Sequence, residues 1–217
     1  MKLLDLFCGA GGAAQGYADA GFEVVGVDRD SQPNYPFEFI RDDAIDWLRW
    51  RGDVGFDAIH ASPPCQAYST QTADKSRHER LIEPIRDLLI VSGLPYVIEN
   101  VEGAKKELID PVRLCGSSFG LNVRRHRYFE TNWPLEGKPC NHKWQTPRFR
   151  SLDNSMVKAG KLASVVGVHG HINYPGEFAL RQKAMGIDWM TNDELVEAIP
   201  PAYTRFIGHQ LRRWVER

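Results

Sequence analysis

Residues 2–28 read KLLDLFCGAGGAAQGYADAGFEVVGVD, and this stretch decides the fold. The apolar run Lys2–Phe7 predicts a short strand that runs into glycines. Ala13–Ala20 has helical composition, and Gly21 is a natural stop. Glu23–Val27 predicts a second strand, ending at Asp28. A strand, a helix and a strand in so short a span require a crossover, hence parallel strands joined with right-handed sense.

The pattern continues outward. Phe56–Ala61 predicts a third strand, running into Ser62-Pro63-Pro64; Leu81–Val91 predicts a helix and Pro95–Ile98 another buried strand. Strands separated by helices imply a doubly wound, mostly parallel α/β sheet covered on both faces. The second half is less regular. Arg125–Glu130 and Leu162–Val168 are strand candidates, and Thr131–Gly160, rich in Pro, Asn, Lys, Trp and Arg, is expected to be an irregular surface insert. Helices are expected at Phe178–Met185, Asn192–Ala198 and Pro201–Val215, the last with proline in its first turn, where a missing N–H costs nothing. The resulting division is a main domain of residues 1–130 and 162–217, interrupted by an insert at 131–161.

With 42% apolar and 25% charged residues in 217, the composition is that of an ordinary globular chain. No apolar run reaches the ~18 residues of a membrane-spanning helix. The start turns to acid, cysteine and glycine too soon for a signal peptide. Four cysteines without an export signal favour reduced thiols, so a cytoplasmic, monomeric protein is expected. The net charge of -1 hides an asymmetry: residues 1–100 carry 9 Lys/Arg against 16 Asp/Glu, and residues 101–217 carry 18 against 12. The basic excess is densest over residues 113–150. It suits a polyanionic partner on one face, or a plain solvated surface equally well.

Four motifs carry chemistry. Asp5–Gly12 ends the first strand and opens the first helix, where glycines admit a ligand and helix N–H groups receive an anionic one; the alternative is a tight turn chosen for packing. Ser62–Ser69 lies beyond a strand's carboxyl end, and its prolines stiffen the backbone before Cys65. That cysteine is a candidate nucleophile if a cation stabilises its thiolate, and otherwise a buried inert thiol. Val97–Gly103 presents Glu99, whose pKa apolar surroundings should raise, unless it caps a helix or pairs with an arginine. In Arg124–Glu130 alternate arginines point to one side of a strand, to hold phosphate or a base edge, or merely to face solvent.

In this order and spacing the motifs resemble those of the DNA (cytosine-5) methyltransferase family, in a small phage-type or restriction-type form. The resemblance rests on Asp5–Gly12, Pro64-Cys65-Gln66, Glu99-Asn100-Val101, Arg125-x-Arg127 and a closing helix around Gly208. It implies a Rossmann-like methyltransferase domain that binds S-adenosylmethionine through Asp5, Phe7, Gly9, Gly11, Asp28, Asp43, Pro64 and His209. Phe7 would stack on the adenine, Asp28 would bond the ribose hydroxyls and Asp43 the adenine amino group. It further implies that Cys65 attacks C6 of a cytosine flipped out of duplex DNA, with Glu99 on N3 and the exocyclic amine, Arg127 on the base carbonyl or backbone, and Arg125 in support. DNA contacts are expected at Gln66, Ser69, Arg124, Arg148 and Arg150.

The chain departs from the family pattern in three places. Val123 stands where glutamine is common, the recognition insert is very short, and Gly208-His209 replaces Gly-Asn. A cationic His209 near the departing methyl would favour a carboxylated donor, carboxy-S-adenosylmethionine; a neutral imidazole replacing the amide would leave the donor ordinary. Rival readings are the same chemistry on tRNA and a DNA-binding regulator without turnover. Cys140-x-His142 and His169-Gly-His171 have donor types suited to zinc, but they lack a CxxC pair and lie far apart in sequence. No metal is therefore expected.

Overall fold

The computed structural model describes residues 1–51, 54–70, 72–147, 163–170 and 175–217. Seven strands form one sheet in the order β3-β2-β1-β4-β5-β7-β6. They are β1 (Lys2–Leu6), β2 (Glu23–Asp28), β3 (Glu38–Arg41), β4 (Ala58–Ala61), β5 (Tyr96–Asn100), β6 (Val112–Leu114) and β7 (Arg127–Thr131). The first five run parallel, whereas β7 is antiparallel to both β5 and β6. This is the α/β, mostly parallel architecture expected of the opening βαβ unit.

Strand alternation divides the core between two faces. Leu3, Val24, Ala58, Val97 and Phe129 pack under α1 (Gly12–Asp19) and the long C-terminal helix, while Leu4, Leu6, Val27, Ile59 and Ile98 meet α2 (Ala44–Arg51) and α3 (Ile82–Ser92). The C-terminal part adds α4 (Glu177–Met185), α5 (Asn192–Glu197) and α6 (Pro201–Val215). Tyr203, Ile207 and Leu211, spaced by four, form the buried stripe of α6. A Cβ on Gly16 would fall 2.1 Å from the Pro201 carbonyl oxygen, so glycine is what lets α1 and α6 approach so closely. Thr204 Oγ1 fastens the contact by donating to the Ala13 carbonyl at 2.8 Å.

Arg86 of α3 grips Glu130 of β7 in a buried bidentate pair, both N···O distances 2.7 Å, and Glu130 also accepts from Ile109 N–H at 2.8 Å. This ties the antiparallel end of the sheet to the parallel half. Among the described residues no helix is long and apolar enough to cross a membrane.

The elements β3, α2 and β6 carry too few periodic residues to have been anticipated. The insert, expected to be irregular, contains β8 (Gln145–Pro147), which pairs in parallel with β9 (Ala163–Val165). Three residues hold barely one alternation, too little for a period-2 signal. Arg148 and Arg150 lie outside the described residues, as does the rest of the insert from residue 148 to 161.

Candidate active site

The sheet order reverses direction between β1 and β4, which makes a crevice beyond the strands' carboxyl ends. On the β1–β2–β3 side, Phe7 follows β1 at φ 57°, a left-handed conformation that non-glycine residues rarely adopt. Such strain, of the order of 1–3 kcal/mol, persists where surrounding structure enforces it. Here Cys8 N–H bonds Val27 O at 3.3 Å, Gly9 N–H bonds Asp28 Oδ2 at 3.0 Å, and Trp189 Nε1 donates to Ala10 O at 2.9 Å. The turn is thus sewn to the end of β2 and to the C-terminal part. A Cβ added at Gly9 would meet nothing within 4 Å, so the turn is open at that residue, whereas one at Gly11 would lie 2.8 Å from the Pro36 ring. No side chain caps the start of α1. Asp43 sits beyond β3, where its Oδ1 accepts from Ile45 and Asp46 N–H at 2.9 and 3.1 Å. An uncapped helix start, an open turn and carboxylates at two strand ends fit a nucleoside-bearing, zwitterionic group such as S-adenosylmethionine.

The other side of the crevice gathers the remaining motifs. Cys65 follows β4, Glu99 lies in β5, and Arg127 begins β7. Because β7 runs antiparallel, its first residue falls at the edge where β4 and β5 end. Arg127 Nε is 3.0 Å from Glu99 Oε1, an ion pair without hydrogen-bond alignment. Burial pushes the Glu99 carboxyl up, against the pull of Arg127 and Arg125. Burial also pushes the Cys65 thiol up, Glu99 adds to that, and Arg127 opposes it. Arg125 donates to the carbonyls of Val168 and Val196 and lends its own carbonyl to Tyr203 Oη at 2.8 Å. Gln66 Oε1, beside the cysteine, is enclosed and accepts no hydrogen bond from the described residues. Ser69 sits on the same loop, its N–H bonded to Cys65 O at 2.9 Å, and Pro64 is partly buried.

His60 carried no sequence signal, and Asn100 and Gly103 stand inside quoted motifs without having been given a role of their own. His60 is wholly buried in β4; its Nδ1 is 2.9 Å from Tyr17 Oη and its Nε2 2.8 Å from Ser62 Oγ, and Ser62 in turn bonds Glu99. A buried polar chain therefore runs from α1 to the carboxyl of Glu99. Asn100 Nδ2 donates to Pro63 O at 2.9 Å, which fixes the backbone ahead of the cysteine. A Cβ at Gly103 would lie 2.2 Å from Tyr68 O, so the turn after β5 presses directly on the Cys65 loop. A lone histidine in an apolar strand offers nothing to a sequence pattern.

Two expectations are corrected by the geometry. His209 is exposed on α6. Its neighbour Gly208 packs against Ala20, at the end of α1 opposite the Gly9–Gly11 turn, roughly 12 Å along that helix at 1.5 Å per residue. A charge at His209 is thus remote from the turn, and the argument for a carboxylated donor loses its residue. Asp5 is 0% exposed, with both oxygens unpaired. Burial, with Asp28 second, raises its pKa well above the usual carboxylate range; it underlies the turn as a sealed acid and does not line it. Cys140 and His142 meet Cys115 and His126. His169, in the other dipeptide of zinc-type donors, is exposed elsewhere and His171 lies outside the described residues. Arg124 reaches Gln145 at 3.4 Å, toward the insert.

Residues 1–107 match the family model of the C-5 cytosine-specific DNA methylases. The chain is 28% identical over 165 residues to the type II methyltransferase M.AgeI of Thalassovita gelatinovora; the match covers 59% of this chain and 38% of that relative. It is also 28% identical over 121 residues to the type II methyltransferase M.HgiGI of Herpetosiphon aurantiacus, covering 48% of this chain and 94% of the relative. Among solved structures, a protein encoded within an E. coli prophage and assigned as a DNA modification methyltransferase superposes over the full length of both chains, with TM-score 0.64 and 16% identity. At that identity the likeness speaks for the fold alone.

Proposed function

We propose that the chain, whose residues 1–107 match the C-5 cytosine-specific DNA methylase model, acts as a member of that family and transfers a methyl group from S-adenosylmethionine to C5 of a cytosine in duplex DNA. One observation carries the reading: the ends of three neighbouring strands bring Cys65, Glu99 and Arg127 to one edge of the crevice, across from the open glycine turn.

Phe7, the Gly9–Gly11 backbone, Asp28 and Asp43 would hold the donor, which supplies an electrophilic methyl group when bound. Cytosine C5 is a poor nucleophile until sulfur adds at C6 and pushes electron density onto it. Cys65 performs that addition as the thiolate. Its raised pKa makes the protonated thiol the resting form, so the thiol proton passes to solvent before the sulfur–carbon bond forms. After methyl transfer a base or water removes the C5 proton, the C6–S bond breaks and Cys65 leaves as thiolate. Glu99, whose carboxyl burial pushes up, takes a proton when the base is bound, donates it in a hydrogen bond to N3 and so draws electrons from the ring while the exocyclic amine is held by the same carboxyl. Arg127 keeps Glu99 in place and offers donors to the base carbonyl. Arg125, anchored on two backbone carbonyls, positions the strand that carries Arg127. Gln66, Ser69 and Arg124 line the approach, and Arg148 and Arg150 would add sequence-independent phosphate contacts.

Incubating the protein with methyl-labelled donor and either random-sequence duplex DNA or tRNA, followed by nucleoside analysis, tests this. Labelled 5-methyldeoxycytidine from duplex supports the reading. Label confined to tRNA, or absent from both with the cofactor bound, overturns it.

A further inference from the structure

Four side chains beside the β6–β7 end of the sheet have no part in the chemistry above. Cys115 follows β6, His126 precedes β7, and Cys140 and His142 stand in the loop beyond it. One sulfur or ring nitrogen from each lies within 4.8 Å of all the others. Cys115 Sγ is 3.2 Å from His142 Nε2, and Cys140 Sγ is 3.5 Å from His126 Nε2. The two imidazoles are stacked, with centroids 5.4 Å apart and planes at 26°. Zinc–sulfur bonds of about 2.3 Å and zinc–nitrogen bonds of about 2.0 Å at tetrahedral angles put S and N about 3.5 Å apart. Both cross pairs already stand near that separation.

The surroundings organise the donors independently. Ser118 Oγ donates to Pro139 O at 2.9 Å, and Asn141 N–H donates to Ser117 Oγ at 3.1 Å, so the two ligand-bearing loops are clasped together. Ser117 Oγ is also 3.1 Å from Cys115 Sγ, where its hydroxyl can turn to donate to a thiolate, the usual outer support of a metal ligand. The Cys115 thiol donates to Arg124 O at 2.8 Å. That carbonyl also accepts from Gly116 N–H at 3.2 Å, so it keeps a partner when the thiol ionises. Two sulfurs and two imidazoles without a carboxylate make a soft, four-ligand set, which selects zinc over calcium or magnesium.

We propose that Cys115, His126, Cys140 and His142 bind one zinc ion in a closed, structural site that rivets the root of the 131–161 insert to the sheet. The ion takes two thiolates and two neutral imidazoles, releases both thiol protons to water, and leaves the cluster uncharged. Because His126 stands between Arg125 and Arg127, the same rivet fixes the segment that presents Arg127 to Glu99. The motif escapes a sequence scan because its donors are split between Cys115, His126 and the Cys140-x-His142 pair, with no CxxC pair.

The test is zinc content by mass spectrometry on untagged protein, purified from zinc-supplemented medium without chelator, together with the absorption spectrum after cobalt exchange. About one zinc per chain is expected, with the intense visible bands of tetrahedral cobalt and a thiolate-to-metal charge-transfer band. Cys65→Ala should keep that stoichiometry, while Cys140→Ser and His142→Ala each lose it by more than about tenfold. If those variants do not fold, the wild-type cobalt spectrum decides alone. Zinc well below one per chain that added metal does not restore, an octahedral cobalt spectrum, or an intact mass showing a Cys115–Cys140 disulfide would each overturn the proposal.

Discussion

Arg127 Nε stands 3.0 Å from Glu99 Oε1 across two antiparallel strands, and both side chains are largely enclosed. The pair joins two ionisable groups of the chemical half of the crevice, and Cys65 feels both of them. Its consequences are open to measurement.

The productive form needs Glu99 protonated and Cys65 ionised. Burial raises the carboxyl, so protonated Glu99 persists to higher pH than an exposed glutamate and is lost as pH climbs through its raised pKa; burial also raises the thiol, which must lose its proton. The two opposed requirements make kcat/KM bell-shaped in pH, with apparent values that belong to the pair. Glu99→Gln keeps an amide donor that does not titrate. It should lower kcat by roughly 10²-fold or more and abolish the alkaline limb. An alkaline limb unchanged in the glutamine variant would assign it to another group.

His60 makes a stability prediction. Burial pushes its pKa from 6.5 down to about 3, so the fold holds neutral imidazole while the unfolded chain takes a proton below 6.5. The sign is that of a depressed group: the contribution is complete above pH 6.5 and is lost as pH falls toward 3, at about 1.4 kcal/mol per pH unit. Urea unfolding from pH 7 to 5 should show the gap between wild type and His60→Gln narrowing as acid is added. Parallel curves would mean that His60 does not stay neutral in the fold.

Gly103→Ala would set a methyl 2.2 Å from Tyr68 O, backbone that is poorly able to retreat. A loss of about 1–3 kcal/mol of stability is expected. Displacement of the Cys65 loop should lower kcat, with the cofactor dissociation constant unchanged. Wild-type stability together with wild-type kcat would show that the two turns are not in register as described.

How far the sequence carries can be judged residue by residue. The βαβ opening, the helix starting at Pro201 and the strands leading to Cys65 and Glu99 are legible because each holds several turns or alternations of apolar residues. Lys2–Leu6 and Pro201–Val215 fall within a residue of expectation. Three-residue strands such as Val112–Leu114 are not legible, since so short a segment has no period. The site's named motifs are visible because each sits at a strand end, but their props are not. His60 bonding Ser62, Asn100 bonding Pro63 and the Cys115–His126–Cys140–His142 cluster all depend on which strands become neighbours. His209 shows the reverse error: a motif position suggested proximity, and the parallel packing of α6 along α1 removed it.

The central claim is that Cys65 forms a covalent bond to cytosine C6, and trapping tests it most directly. Random-sequence duplex carrying 5-fluorocytosine is incubated with the protein and S-adenosylmethionine, then resolved under denaturing conditions and mapped by peptide mass. Fluorine cannot leave as a proton does, so a stable adduct on the Cys65 peptide is expected. Cys65→Ser should form none while binding the cofactor with wild-type affinity, because a hydroxyl is a far weaker nucleophile than a thiolate near neutral pH. Methylated product on ordinary duplex with no adduct on the fluorinated one, or an adduct that persists in Cys65→Ser, would contradict the account.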